Sequence, residues 1–389
     1  SDLDAMPGHL SMVPVIPGEA GIHWITGGPW TGPGNNAASL PPLQSWLSED
    51  TCQDPNDRWE VQPVPMIREL VIPETNSYTR DSYADWHYAN GGTLFGILSL
   101  YDVSNEEPYM EFARNYMENL AANQDYFRRQ YLELHTMRGS FHRIYRKTML
   151  DDTGGPAIPL AELTRRGWNH PGLTPLLDTV LQYVTEGQER LADGTFSRPE
   201  PEPATVWADD LFMSVPFLLR MAEVTGDETL YDEVARQVIL FHRHLADPET
   251  GLWFHGWYDQ RREHTPVRWA RANGWVAWAV SEALIHLPEN HPDYHRVLEI
   301  FRDHMESLAG YQDASGLWHQ VLDHPDTWLE TSSTAMFTLA MSRGARMGWL
   351  DSSYRERALK GWQGLQSKID GDGTVTDICR GTGISDSLE

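Results

Sequence analysis

The sequence predicts an all-α protein, an (α/α)6 barrel of inner and outer helices with an irregular N-terminal arm. Three observations predict it: an amphipathic helix recurring at a fixed period, a more apolar helix paired with each copy, and a breaker-rich start that fits neither pattern.

The arm comes first. Between Gly27 and Gly34 stand four glycines and two prolines. Such residues punctuate regular structure, so residues 1–80 read as an arm packed on the barrel and residues 81–389 as the barrel domain. From about residue 86 a polar cluster, a tyrosine and an amphipathic helix recur, led by Tyr109, Tyr231, Tyr294 and Tyr354. These tyrosines lie 122, 63 and 60 residues apart, and a helix beginning near Thr174 fills the doubled first gap. After Asp227, the residues Leu230, Val234, Val238, Phe241 and Leu245 step by three or four and mark one buried stripe. Leu298, Phe301, Met305 and Leu308 repeat the stripe one period later.

A second, more apolar helix precedes each of these, at 211–224, 274–287 and 333–347. Short polar turns such as Thr225-Gly226-Asp227 join the pairs. One helix apolar nearly all round beside one half-exposed helix implies two concentric layers. Six such pairs need about 360 residues, which suits a closed barrel better than an open solenoid of shorter repeats.

Bulk properties exclude several functions. The net charge is −26, and Lys147, Lys360 and Lys368 are the only lysines. So negative a surface repels nucleic acid and anionic membranes, while a small anionic substrate remains compatible with a local arginine or histidine. No apolar run approaches the ~18 residues that span a bilayer. Two cysteines, Cys52 and Cys379, are too few for a disulfide framework or a thiolate zinc site, and leave open one bridge or two thiols. The chain starts at Ser1, which points to processing or trimming. A periplasmic or secreted location is preferred to a cytoplasmic one, and the protein is expected as a monomer or dimer.

The chemistry-bearing residues lie in the stretches that lead into the inner helices, at 85–90, 150–155, 207–210, 269–275 and 328–332. In such a barrel the inner helices run the same way, so these stretches converge at one mouth. Indole faces pack on the apolar faces of a pyranose, and carboxylates and amides bind its hydroxyls, so the mouth reads as a sugar site. Blander readings stand beside this one. Asp151, Asp210 or Glu330 could each be an N-cap. Trp207, Trp269 and Trp275 could be core. Arg271 needs an anionic partner, which could be Asp152, Asp209 or a substrate carboxylate. His255 is either structural or part of the mouth. The paired carboxylates Asp151-Asp152 and Asp209-Asp210 are harder to dismiss, because neighbours repel and only one can cap. No Walker, dinucleotide, His-Glu-x-x-His or Gly-x-Ser-x-Gly motif is present.

At these residues the sequence resembles glycoside hydrolase family 105, the unsaturated rhamnogalacturonyl hydrolases, with the family 88 unsaturated glucuronyl hydrolases as more distant relatives. The matching stretches are Leu-Asp-Asp-Thr-Gly (150–154), Trp-Ala-Asp-Asp-Leu-Phe-Met (207–213), His-Gly-Trp (255–257), Trp-Ala-Arg-Ala-Asn-Gly-Trp (269–275), Leu-Glu-Thr-Ser-Ser-Thr-Ala (329–335) and Cys-Arg-Gly-Thr-Gly (379–383). They stand in family order. The resemblance implies an exo-acting hydrolase that hydrates the C4=C5 enol ether of a terminal unsaturated uronic acid on a small lyase-made oligosaccharide, with no metal or organic cofactor. It implies Asp209 as general acid and base and Asp152 as its partner carboxylate. Arg271 and His255 become the holders of the substrate carboxylate. Trp207, Trp269 and Trp275 form the platform, with Asp210 beside them and Trp86 and Asn90 closing its first-repeat side. An acid working near neutral pH needs a pKa above that of free Asp, so Asp209 is expected to be raised. Such families continue past the Gly-Thr-Gly motif into a last inner helix, which this chain is expected to lack. Unsaturated glucuronyl oligosaccharides, from ulvan or another polymer, are the alternative substrate. A sugar isomerase or epimerase would instead use His87 and His255, and a repeat scaffold would show no convergent carboxylates.

Overall fold

The computed structural model describes residues 10–12, 24–26, 86–133, 141–379 and 383–384. The chain divides into two compact units, residues 1–147 with 169–175, and residues 148–168 with 176–389.

In the first unit β1 (Leu10–Met12) pairs antiparallel with β2 (Trp24–Thr26). The other parts of the arm, its packing on the barrel, and Cys52 lie outside the described residues. Then come α1 (Tyr88–Ser104), α2 (Glu107–Glu133) and the short α3 (Arg143–Arg146). His87 caps α1, its Nδ1 accepting from the Ala89 N–H at 3.2 Å. Asn105 ends the helix in the left-handed region at φ 54, its N–H donating to the Tyr101 carbonyl.

The second unit begins with a tight turn, Leu150–Asp152, followed by α4 (Gly154–Arg165). Helix α5 (Thr174–Gln182) starts at the threonine the periodicity marked, and its first two residues count with the first unit. Three inner helices follow: α6 (Asp209–Thr225), α8 (Ala270–His286) and α10 (Thr331–Arg346). They alternate with the outer helices α7 (Thr229–Leu245), α9 (Tyr294–Gly310) and α11 (Ser353–Gln366). Helices α4, α6, α8 and α10 pack side by side in chain order, and each outer helix packs on the inner helix before it.

Burial separates the layers as the patterning requires. Helix α6 is buried continuously from Asp210 to Ala222, whereas α7 buries the stripe through Leu230, Val234, Val238, Phe241 and Leu245. Each such side chain contributes roughly 1.5–3 kcal/mol, so a charge at Val238 would detach the outer helix. On α9 the stripe runs through Val297, Ile300, Phe301, His304, Met305 and Leu308, with Leu298 half-buried at its edge. The sequence reading had placed Leu298 on the stripe. Val297 takes that place because a helical turn of 3.6 residues puts it in line with Phe301 and Ile300.

Short strands, which the helical periodicity did not anticipate, flank the inner-helix starts. They are β3 (Thr205–Trp207), β4 (Gly256–Tyr258), β5 (Glu263–His264), β6 (Trp318–His319) and β7 (Leu329–Glu330). The first three form one antiparallel sheet and the last two another. At the opposite, C-terminal ends of the inner helices runs an alternating ionic ladder. Arg220 of α6 reaches Glu162 of α4 at 3.0 Å and Glu282 of α8 at 2.6 Å, and Arg343 of α10 reaches Glu282 at 2.5 Å. Burial alone would raise both glutamates, but the arginines outweigh it and hold each carboxyl at about 2.

The expected loss of a last inner helix concerns residues beyond Cys379, which apart from Gly383 and Ile384 lie outside the described residues.

Candidate active site

Strand pairing builds the mouth of the second unit. In the β3–β4 register Trp207 faces Gly256, and the Ala208 N–H donates to the His255 carbonyl at 3.0 Å. Trp207, Asp209 and His255 are thereby held together at the start of α6. The turn carrying Asp152 packs against that helix as well. Gly154 makes the approach feasible: a Cβ there would collide with the carbonyl oxygen of Met213, a backbone atom that cannot yield.

Two of the mouth's four aspartates meet one buried arginine. Arg198 forms a two-pronged pair with Asp210, Nε to Oδ2 at 2.9 Å and Nη2 to Oδ1 at 2.7 Å, and reaches Asp151 at 2.8 Å. Its guanidinium also lies over the Trp207 ring at 4.3 Å. One carboxylate of each Asp-Asp pair is therefore taken by Arg198, and its neighbour, Asp152 or Asp209, is not in that bonded set. This corrects the capping reading for Asp151 and Asp210. Each orphan charge finds a cation instead of a helix start, because a buried carboxylate gains more from a bidentate guanidinium than from N–H groups alone. Glu330 is the N-cap of the three, accepting from the Ser332 and Ser333 N–H groups.

Arg198 was missed because it sits outside the helix-leading stretches. A backbone bridge to Thr205 folds it back over the mouth, with N···O distances of 2.7 and 3.2 Å. The signal available in sequence was that two Asp-Asp pairs need a cation.

Asp209 keeps 14% of its side chain exposed, whereas Asp210 is fully buried. His255 Nε2 stands 3.3 Å from Asp209 Oδ2. That distance makes a charge contact, and both atoms are buried with no hydrogen bond assigned among the described residues. The indole N–H groups of Trp207 and Trp269 share that condition. Buried polar atoms are nearly always paired, so four together without a partner among the described residues make this a place suited to a polar ligand.

The electrostatics overturn one expectation. Burial would raise Asp209, but His255 and Arg198 outweigh it, so its carboxyl is lowered below the usual aspartate range. Asp210 is the group pushed up, to about 6, by burial that Arg198 only partly offsets, with Asp151 and Asp209 adding repulsion. A pull from His255 against that rise is legible in the sequence, but its 3.3 Å distance and the role of Arg198 are not.

The aromatic wall is partly as expected. His255 lies between Trp207 and Trp269, at ring separations of 5.4 and 4.7 Å. Trp275 instead stacks on Phe212 of α6 at 4.7 Å and runs parallel to Trp278 at 6.2 Å, a joint between inner helices. The Arg271 guanidinium donates to the Cys379 carbonyl and lies 5.3 Å over the Trp269 ring. Trp86 and Asn90 belong to the first unit, Trp86 buried just before α1 and Asn90 half-buried in its first turn. Among the described residues no group of three or more His, Cys, Asp or Glu side chains could hold a metal ion, and no helix is long and apolar enough to cross a membrane.

Comparison with known proteins bears on family and fold. The family model of Glycosyl Hydrolase Family 88 matches residues 68–387. An unsaturated rhamnogalacturonyl hydrolase of Bacillus subtilis is 26% identical over 316 residues, covering 78% of this chain and 82% of its own length. An unsaturated 3S-rhamnoglycuronyl hydrolase of an Alteromonas species is 31% identical over 175 residues, covering 43% of this chain and 42% of its own. Among solved structures, a possible GH105 member from Salmonella enterica superposes with a TM-score of 0.68 at 24% identity, covering 79% of this chain and 77% of the other. The fold is the all-α (α/α)6 class.

Proposed function

The chain belongs to Glycosyl Hydrolase Family 88, and on that premise we propose that it removes the terminal 4,5-unsaturated uronic acid from lyase-made, rhamnogalacturonan-type oligosaccharides. Family and relatives are glycoside hydrolases acting on unsaturated uronyl sugars, which sets aside the isomerase and scaffold readings. The rhamnogalacturonan choice follows the Bacillus relative, whose likeness spans most of both chains. The catalytic domain comprises residues 81–389.

The observation that carries the mechanism is the division of the four aspartates. Arg198 holds Asp151 and Asp210, and Asp209 remains, partly exposed, beside His255 and two indoles with unpaired N–H groups. Asp209 donates a proton to C4 of the enol ether, water adds its oxygen at C5, and the water's other proton returns to Asp209. The resulting hemiketal opens and expels the neighbouring sugar. Asp152, on the turn packed against α6, is the partner carboxylate.

A carboxyl lowered in the free protein must gain its proton on binding. The substrate carboxylate supplies the means: drawn to His255 and Arg271, it takes countercharge from Asp209 and adds a negative neighbour, and both effects raise the pKa of Asp209. The substrate thus helps to protonate its own acid. Trp207 and Trp269 flank the sugar ring, Asp210 sits behind Asp209, and Trp275 backs the wall.

The test is incubation with lyase digests of rhamnogalacturonan, ulvan and glycosaminoglycan, following loss of the double-bond absorbance. Loss on the rhamnogalacturonan digest is expected, and no loss on any digest would refute the reading. Loss on the ulvan digest alone would favour the second substrate.

A further inference from the structure

Asn273 and His304 have no part in the mechanism above, yet both are buried directly behind the site. Asn273 lies in the first turns of α8, and every hydrogen-bonding position of its amide is filled. Its Oδ1 accepts from the Trp253 N–H at 2.9 Å and faces His304 Nε2 at 3.1 Å. Its Nδ2 donates to the carbonyls of Trp253 at 2.9 Å and Trp269 at 3.0 Å.

Backbone chemistry determines which way the amide points. The Trp253 N–H can only donate, so it must meet the oxygen, and the two carbonyls can only accept, so they must meet the nitrogen. His304 therefore faces an acceptor, and its Nε2 must carry the hydrogen. Burial drives the His304 imidazolium down to about 3, so the ring is neutral at ordinary pH and has one N–H, committed to this bond. His304 arrives from the buried stripe of the outer helix α9, and its ring lies 5.7 Å from that of Trp253.

We propose that Asn273, oriented by His304, is a positioning residue for the reaction, clamping the segment that leads to His255 onto the helix start that carries Trp269 and Arg271. The clamp grips Trp253, two residues before His255, through both its N–H and its carbonyl, and it grips Trp269 on the other side. His255 and Trp269 are the two rings, 4.7 Å apart, whose unpaired N–H and ring nitrogen line the site. The outer layer thus reaches through the inner one to set the spacing of groups around Asp209. An aliphatic residue at 273 would leave the buried N–H and carbonyl of Trp253 unpaired, and one at 304 would remove the bond that orients the Asn273 amide, so either lets the segment drift.

The inference rests on the reading of Asp209 and His255 as the reacting site, and its test has one arm that needs no substrate. Asn273→Ala, His304→Leu and His304→Gln are compared, the glutamine offering an amide N–H at the reach of the lost Nε2. The ring-carbon NMR signal of His255 is expected to shift or broaden in Asn273→Ala and His304→Leu and to return in His304→Gln. On a digest the wild type turns over, kcat is expected to fall roughly 10²-fold in the first two, with KM changing far less, and to recover in the third. An unchanged His255 signal in a folded Asn273→Ala or His304→Leu protein overturns the proposal. So does equal loss in His304→Leu and His304→Gln, which would indicate packing alone. If Asn273→Ala does not fold, the two His304 variants decide. A wild type inactive on every digest refutes the functional reading, and the NMR arm still decides the clamp.

Discussion

The two ends of the inner helices both bury charge, and they do it differently. At the C-terminal ends Glu162, Arg220, Glu282 and Arg343 alternate across α4, α6, α8 and α10, acid beside base at every step. Arg165 and Arg166 complete the set on Glu162, at 2.6 and 2.7 Å. At the N-terminal ends one arginine serves Asp151 and Asp210, and Asp209 Oδ2, His255 Nε2 and two indole N–H groups have no hydrogen-bond partner among the described residues. Balanced charge fastens the helices to one another. Unbalanced charge, held in place by the same helices, leaves groups able to act on something else. Each carboxylate of the ladder faces an arginine, whereas the mouth gathers four such partnerless polar atoms in one place, and that concentration marks the chemistry.

Mutations should separate the two ends. The largest effect is expected for Asp209→Asn, which should lower kcat roughly 10²–10⁴-fold, the usual contribution of a positioned acid, with the thermal melt unchanged. Turnover in that variant within a few-fold of wild type would sink the assignment. Arg198→Met should cost on the order of 3–5 kcal/mol, the penalty for leaving a buried charge unpaired, and should also cut kcat of the molecules that remain folded. Arg220→Met at the far end should show a comparable stability loss on the order of 3–5 kcal/mol, yet keep kcat per folded molecule. Denaturant melts paired with active-site titration distinguish these outcomes, and equal kcat loss in both would erase the distinction between the ends.

The pH responses should differ too. Because substrate binding raises Asp209, the alkaline limb of kcat, which reports the bound enzyme, should lie above that of kcat/KM, which reports the free one. Coincident limbs would contradict substrate-assisted protonation. At the ladder the sign is opposite to that of a raised group. Glu162 and Glu282 sit at about 2 in the folded protein against an ordinary 4.5. Below 4.5 the unfolded chain takes up protons that the native ladder refuses, so their stabilisation is complete above that pH and lost as pH falls towards 2. Melts between pH 5 and 2, compared with an Arg220→Met variant, should show a shallower decline in the variant.

What could be read in the sequence was what depends on spacing. The steps Leu230, Val234, Val238, Phe241 and Leu245 predicted α7, and Thr174 opens α5 where the doubled gap required a helix. Two of the helix-leading stretches, with Asp152 on one and Trp207 and Asp209 on the other, pack together at the start of α6. What could not be read depends on chain reversal. Arg198 reaches the mouth through a bridge to Thr205, and His255 is brought to Asp209 by the β3–β4 register, and neither pairing has a helical period to announce it. The lowering of Asp209 was hidden for the same reason, since its causes lie on those returning segments. The ladder left a trace, charges near the ends of the apolar helices, but a lone Glu282 in an apolar run does not name its partner.

The measurement that bears most directly on the account is a paired time course on a rhamnogalacturonan lyase digest, recording double-bond absorbance and release of the neighbouring sugar together. Hydration initiated by Asp209 requires the absorbance to fall no later than the sugar appears, with neither event in Asp209→Asn. Sugar appearing ahead of the absorbance loss would mean attack at the anomeric carbon, and would contradict proton donation to C4.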